Sequence, residues 1–410
     1  MRILLVNSEN MGGVEYYRMM MPNHILSLKN PEFEFTSSDI KYLRQDEMLK
    51  LETRVYNPTT QKEEVVACSE KVKTDDYLKE FDLVHFCRQI DIFGDTQIVD
   101  RLKKLGIPFG LDLDDYWFLP KGHILFEDYK LKNQDLAIIQ SIKAAHFITC
   151  TTPIIAREIE RYNKNVFIIE NGIDDTQESW QPDFSKALKM RFGFYQGSTH
   201  MEDIKLASND VIKVFDGPLI DKAQIVLSGF MAAPQNEINK ETNRPNPSYY
   251  IGFEKAITDN LRVIKNNKYK EYLMKCISED NHEWMQESYW RCWGTHVKNW
   301  GYTYNFTDVS LVPLIHNTFN KCKSELKLIE AGFKGKAVIV SDVNPYRLLA
   351  TDKNSFLVKG INTWYKQIKY CIDNPNAVSD KANQLHEDVK SKYRLWDLVD
   401  KRKELYNMYK

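Results

Sequence analysis

The sequence contains no run of about 20 apolar residues, the length a helix needs to span a bilayer, so no membrane span is expected. Its opening, MRILLVNSEN, has too short an apolar run for a secretory leader, and no small-residue cleavage site follows. The expectation is a cytoplasmic protein. Cysteine is sparse and scattered: seven residues, an odd number, with no CxxC pair. That pattern signals neither a zinc ribbon nor a redox dithiol, and it suits buried, reduced thiols. Charge of one sign is also lacking. Net charge is −1, so no overall basic field draws in nucleic acid or an anionic membrane. There is no complete GxGxxG, no internal repeat and no low-complexity tract.

What is present is a long, ordinary globular composition. A chain of 410 residues exceeds what one core usually supports, so two domains are the expectation. Apolar content of 43% and charged content of 28% fit such a protein. The aromatics (22 Tyr, 20 Phe, 8 Trp) suit either an aromatic core or surfaces that stack sugars or bases.

Strand and helix patterns alternate through the first half. Arg2–Asn7 reads as a strand, followed by the glycine turn Gly12-Gly13 and a helical run from Val14 to Leu28. Further strands are expected at Phe81–Phe86, Ile107–Leu111, His146–Cys150 and Val166–Glu170. Helices are expected over Thr96–Leu105, Lys130–Ala145 and Thr151–Tyr162. Lys41–Asp75 is polar and irregular and reads as a peripheral insertion. Asp174–Met190 breaks the alternation and reads as a linker. A second series then gives strands at Phe192–Gln196, Gln224–Ser228, Val309–Leu314, Ala337–Ser341 and Ser355–Val358. A helix over Phe253–Ile277, a tryptophan-rich segment Trp284–Trp300 and a final amphipathic helix Leu395–Tyr409 complete the reading. Such alternation implies parallel α/β sheets covered on both faces. Ligands of such sheets bind at the carboxyl ends of the strands.

The segment Lys321–Asp342, KCKSELKLIEAGFKGKAVIVSD, concentrates the chemistry. The spacing of Lys323, Lys327 and Glu330 puts them on one helical face, beside an apolar stripe of Leu326, Ile329 and Phe333. Gly335 reads as the helix stop, and AVIVS as a buried strand. Cations near a helix start suit an anionic ligand such as a diphosphate, and a carboxylate two turns on suits sugar hydroxyls. The same spacing also fits a solvated helix face. Other polar residues follow expected strands: Gly12, Gly13, His85, the cluster Asp112, Asp114, Asp115, and Gly197, Ser198, His200 and Asp203. His85 suits either a contact to substrate or a structural hydrogen bond. The aspartates suit a catalytic base with a raised pKa, a divalent-ion site, acceptor orientation or plain structure. His200 and Asp203 suit a supporting pair at a nucleotide loop or a helix cap. The run Arg262–Lys275 interleaves basic and aromatic residues, which suits a nucleic-acid backbone or a solvated helix face.

With these pieces in order, the chain resembles the GT-B nucleotide-sugar glycosyltransferases, glycosyltransferase group 1. The resemblance is strongest over Asn305–Tyr346 and is carried also by GGVEYYR, FDLVHF, DLDDYW, TTPIIAREI, ENGID and YQGSTHMED. It implies two facing Rossmann-like domains. The first would span residues 1–175, completed by a C-terminal helix at 395–410 that crosses back to it. The second would span 190–390 and bind the nucleotide. By position, Glu330 matches the ribose-binding glutamate. Lys323, Ser324 and Lys327 would meet the diphosphate. Gly197 and Ser198 form the loop beside it, and Gly13 borders the phosphates from the other domain. Two departures stand out. Cys322 occupies the place of an earlier glutamate, and Gly-Ser-Thr-His replaces an arginine and a lysine.

The function implied is transfer of a sugar from a nucleotide-diphosphate sugar to a hydroxyl acceptor. A saccharide or cell-surface polymer precursor is the leading acceptor, and a hydroxymethylated DNA base is the alternative. A non-catalytic nucleotide-sugar binding or scaffold protein is the reading from another class. The resemblance further implies a retaining enzyme with no metal and no cofactor beyond its donor substrate. Oligomeric state stays open.

Overall fold

The computed structural model describes residues 1–7, 12–50, 54–57, 62–65, 70–185, 187–195, 197, 200–230, 238–239, 244–245, 256, 289–360 and 363–410. Ser198, the helix expected over Phe253–Ile277 and the basic run Arg262–Lys275 lie outside these residues, apart from Ala256 in a helical turn. The chain divides into two compact units. The first comprises Met1–Leu119, Leu125–Asn171 and Leu395–Lys410, and the second Pro120–Ile124 and Gly172–Arg394.

The first unit holds a six-stranded sheet built from β1 (Arg2–Asn7), β2 (Glu34–Asp39), β3 (Leu83–Cys87), β4 (Phe109–Leu113), β5 (Phe147–Cys150) and β6 (Val166–Ile168). Its order is β6-β5-β4-β3-β1-β2, and every pairing is parallel. The central strands are buried along their whole length, as expected where helices cover both faces. Their apolar runs include Leu83, Val84, Phe86, Phe109 and Leu111.

The second unit holds β7 (Met190–Phe194), β8 (Ala223–Phe230), β9 (Tyr289–Trp293), β10 (Val309–Val312), β11 (Ala337–Ser341) and β12 (Phe356–Val358). The order is β9-β8-β7-β10-β11-β12, again all parallel. Counted within the unit this is 3-2-1-4-5-6, the doubly wound order of dinucleotide-binding sheets. Its core joins Phe192, Phe194, Ile225, Leu227, Val309, Leu311 and Ile339 to Ile204, Val211 and Trp364 of the covering helices.

Several expectations need correction. Two strands of the six-stranded sheets escaped the sequence reading, β2 and β9, and both lie at sheet edges. The sequence of β2, EFTSSD, lacks the apolar run of a central strand because its side chains are exposed or half-buried. The helix expected over Lys130–Ala145 is two helices, Phe126–Leu131 and Gln134–Ala144, broken at Asn133 with φ 50°. The expected linker Asp174–Met190 carries a short 3-10 turn, Glu178–Trp180, whose Trp180 is buried in the second unit. Lys323 is not on the helix with Lys327 and Glu330. That helix is Leu326–Phe333, and Lys323 sits in the turn between it and the short helix Thr318–Lys321. The helix closes at Gly335, whose φ of +66° suits glycine. In the region read as an insertion, Glu47–Lys50 pairs with Glu70–Lys73, and Arg54–Asn57 with Lys62–Val65. Among the described residues, Cys87, Cys150, Cys292, Cys322 and Cys371 are buried and form no disulfide.

Candidate functional site

In the first unit, polar side chains occupy one face of three neighbouring strands. Cys87 of β3 is in register with Asp112 of β4, and Asp112 with Thr149 of β5. His85 lies two residues before Cys87 and so shares that face. Gly110 opposite His85 is required by packing, since a Cβ there would lie 2.1 Å from the Phe147 ring.

These groups form one buried network. Thr149 Oγ1 donates to Asp112 Oδ2 at 3.1 Å and lies 3.3 Å from His85 Nε2. His85 Nδ1 lies 2.9 Å from the Tyr406 hydroxyl, which donates to Asn23 Oδ1 at 3.1 Å. Arg18 Nε donates to both Asp112 oxygens, at 2.9 and 3.1 Å. Its Nη1 donates to the Ile169 carbonyl at 2.7 Å and to Asn171 Oδ1 at 3.2 Å. Arg402 Nη2 donates to the Arg18 carbonyl at 2.8 Å. Tyr406 and Arg402 belong to the last helix, Leu395–Asn407, so this network fastens the C-terminal helix to the sheet. Burial, reinforced by Arg402, pushes the His85 pKa down to about 3, so the ring is neutral.

The structure therefore separates the residues that sequence placed together. His85 is inside β3, not at its end, and is wholly buried. Asp112 is 1% exposed and committed to Arg18. Asp114 and Asp115 lie beyond the carboxyl end of β4 and face Arg88, with Asp114 at 3.2 Å and Asp115 at 3.8 Å. Burial, aided by Asp115 and Asp112, raises the Asp114 pKa against the opposing pull of Arg88. Arg88 itself has φ 66°, a conformation uncommon outside glycine. Gly12 and Gly13 are exposed at the start of the helix after β1, and the Gly12 N–H donates to Glu15 Oε2 at 3.0 Å.

In the second unit, the strand order reverses between β7 and β10, and a crevice opens outside the carboxyl ends at such a point. The helix Met201–Asp216 begins there, with His200 before it. The His200 side chain does not cap that helix; its Nδ1 lies 2.7 Å from Asp203 Oδ2. Asp203 Oδ1 accepts from the Ile315 N–H at 2.8 Å and from Asn320 Nδ2 at 3.1 Å, tying in the segment after β10. His200 Nε2 lies 3.4 Å from Lys327 Nζ. Burial, then the Lys327 ammonium, push the His200 pKa down to about 3. Burial works to raise the Asp203 carboxyl, but the hydrogen bonds from His200 and Ile315 and the Lys327 charge outweigh it and hold the group below its ordinary value.

The remaining residues surround that pair. Lys323 Nζ lies 4.5 Å from the Phe319 ring centroid, a cation–π distance. Ser324, half-buried, occupies the turn before the lysine-bearing helix. Glu330 is buried, and its Oε2 accepts from the Tyr304 hydroxyl at 2.8 Å. Tyr304 stacks on Tyr195, with centroids 3.9 Å apart and planes at 8°. Gly197 is exposed, and its carbonyl accepts from the His200 N–H at 3.0 Å. Cys322 is buried at the end of Thr318–Lys321. Of the tryptophan-rich segment, Trp290 packs edge-on against Phe306 at 4.9 Å. Sequence reasoning assigned no role to Arg18, Tyr304, Asn320 or Tyr406. Arg18, as the arginine of GGVEYYR, and Asn320, inside Asn305–Tyr346, lay within segments that carry the resemblance, but nothing local marked their partners.

No family model and no curated protein matches this chain. Solved structures do match, over the whole length. Sucrose-phosphate synthase from Thermosynechococcus elongatus aligns with TM-score 0.62 and 12% identity over 99% of this chain and 98% of that one. HepE from Anabaena, in complex with UDP and glucose, aligns with TM-score 0.58 and 10% identity over 99% of each chain. The fold is that of the GT-B glycosyltransferases. An alpha-glucosyltransferase in complex with UDP-glucose and DNA containing an abasic site aligns with TM-score 0.53 and 12% identity over 100% of each chain. The GT-B fold accounts for both parallel sheets. At these identities it does not carry residue roles, which rest on the geometry above. Among the described residues no helix is long and apolar enough to cross a membrane.

Proposed function

We propose that this protein transfers a sugar from a nucleoside diphosphate sugar to a hydroxyl acceptor. The observation that carries this is the cluster at the reversal of the second sheet. There Lys327 and Glu330 share one helix, Lys327 faces His200, and Glu330 is tied to Tyr304. The GT-B neighbours solved in complex with UDP and with UDP-glucose support a nucleotide donor at such a position. In the reaction, the bond between the anomeric carbon and the diphosphate oxygen breaks as a bond to the acceptor oxygen forms. The electron pair leaves with the diphosphate, and the departing diphosphate oxygen takes up the acceptor's hydroxyl proton. Lys323, Lys327 and the start of the helix Leu326–Phe333 stabilise the charge that develops on it. Because these residues supply positive charge themselves, we read the enzyme as metal-independent. We also read it as retaining, after the family resembled. Glu330 is assigned to the ribose, and Ser324, Gly197 and Ser198 to the phosphate side. Gly12 and Gly13 are assigned to the donor phosphates.

For the first unit we assign acceptor orientation to Asp114 and Asp115, and a positioning role to His85 and Asp112. The acceptor we favour is a saccharide or cell-surface polymer precursor. A DNA base is the second reading, motivated by the neighbour solved with DNA, and the near-neutral charge weighs against it.

The test is a thermal-shift screen with UDP, GDP, ADP, TDP and CDP on wild type and Glu330→Ala. A free nucleotide at about a hundredfold over Kd adds roughly 2.7 kcal/mol of stability. One nucleotide should shift the wild type and shift Glu330→Ala less. No shift with any of the five sinks the donor reading. The matching sugar nucleotides are then offered with saccharide acceptors and with hydroxymethylated DNA. Binding without transfer to either supports a scaffold protein, a role that Cys322 in place of a glutamate would suit. Transfer that survives excess EDTA supports the metal-independent reading.

A further inference from the structure

Asp203, His200 and Lys327 form a chain with a fixed direction. Asp203 is held as a carboxylate, which only accepts, so the His200 proton sits on Nδ1 and points at Oδ2, 2.7 Å away. Nε2 then presents a lone pair. An ammonium only donates, so Lys327 Nζ, 3.4 Å away, donates to it. The far end of the chain is anchored, because Asp203 Oδ1 accepts from Ile315 N–H and Asn320 Nδ2. We propose that His200 is a positioning residue for Lys327, holding its ammonium at the carboxyl edge of the second sheet for the diphosphate of a nucleotide ligand. This rests on the donor reading above. The physical merit of an imidazole is that it is a neutral acceptor. A carboxylate there would hold the lysine equally well but would cancel the charge a diphosphate needs. The Phe319 ring beneath Lys323 is an uncharged support of the same kind. The chain thus replaces the arginine and lysine that the resembled family places after the first strand of this unit.

The test is calorimetric titration with UDP, and with uridine as the control lacking phosphates, or with the nucleotide–nucleoside pair that the wild type prefers. His200→Asn keeps a donor for Asp203 but is too short to reach Lys327. His200→Gln places an acceptor near the position of Nε2. Lys327→Ala should weaken UDP binding about tenfold or more. His200→Asn should weaken UDP several-fold, leave uridine unchanged and add little in the Lys327→Ala background. His200→Gln should recover part of the loss. The proposal is overturned if His200→Asn binds UDP like wild type, loses uridine to the same degree, or adds in full to Lys327→Ala. It is also overturned if Lys327→Ala binds UDP normally. In all these cases a wild type that binds the nucleotide leaves the donor reading standing, whereas a wild type that binds none removes that reading first and this proposal with it. Nitrogen-15 NMR of wild-type His200 needs no variant. It should show Nδ1 protonated and Nε2 bare, and a proton on Nε2 would refute the chain's direction.

Discussion

The two halves of this protein share a parallel six-stranded architecture but place their polar residues differently. In the first, His85, Asp112 and Thr149 sit within the strands, under the helices that bring Arg18, Asn23, Arg402 and Tyr406. In the second, His200, Asp203, Asn320, Lys323 and Lys327 sit beyond the strand ends, where the sheet order reverses. The first arrangement closes on itself and fastens the C-terminal helix. The second leaves two half-buried lysines at an edge suited to an anion. Both histidines are neutral, and both are buried, so burial and pKa alone would not have told the two networks apart. Position relative to the strand ends does.

The most damaging change should be in the first network. Asp112→Asn leaves the buried Arg18 charge without its carboxylate, at a cost of about 3–5 kcal/mol, read by urea unfolding. Nucleotide affinity of the folded fraction should be unchanged. A loss of affinity with unaltered stability would erase the contrast between the halves.

Acid should weaken both halves through their histidines. Each has a folded pKa of about 3, against about 6.5 unfolded, so the unfolded chain binds more protons in that window. Their contribution is present in full above pH about 6.5 and is lost progressively as pH falls toward about 3. At pH 5 each should cost on the order of 2 kcal/mol. Denaturant curves at pH 7.5 and 5.0 check this. His200→Asn should remove roughly half of the difference, and removal of all of it would confine the acid sensitivity to the second half.

Lys327→Ala should cost about 1.5–3 kcal/mol in nucleotide binding, the range for a hydrogen bond to a charged group. Little change in the urea midpoint should accompany it, the converse of Asp112→Asn. The smallest effect is expected from Tyr304→Phe, which removes one hydrogen bond to Glu330 and should cost about 1 kcal/mol. If Glu330 binds ribose, that loss appears for nucleosides and nucleotides alike, so a loss specific to the diphosphate would contradict the assignment.

The sequence showed the central strands, such as RILLVN, which matches β1, and AVIVS, which matches β11, and also the edge strands β6 and β12, which keep the short apolar runs VFI and FLV. Of the two six-stranded sheets it missed β2, whose exposed and half-buried EFTSSD has no apolar run, and β9, whose YWRCW lies in the segment read as tryptophan-rich. The lysine-rich helix was recognisable, but its start was not. Spacing alone extended it back to Lys323, whereas the chain turns between Lys321 and Leu326. DLDDYW read as one acidic cluster because its three aspartates are close in sequence. The last strand residues and the turn send them to different partners, Arg18 for Asp112 and Arg88 for the other two.

By itself, then, the sequence determined the α/β class, the repeated strand–helix order and the segments that carry lysines and carboxylates. Periodicity and apolar runs are local, and a parallel sheet writes them directly into the chain. Only the tertiary structure decided that His85 and Asp112 are interior, that His200 meets Lys327, and that Tyr304 meets Glu330. Those partners lie 127 residues apart for His200 and Lys327, and 321 apart for His85 and Tyr406. No local pattern encodes such pairings, because they arise from strand order and helix docking, which bring distant residues to one point.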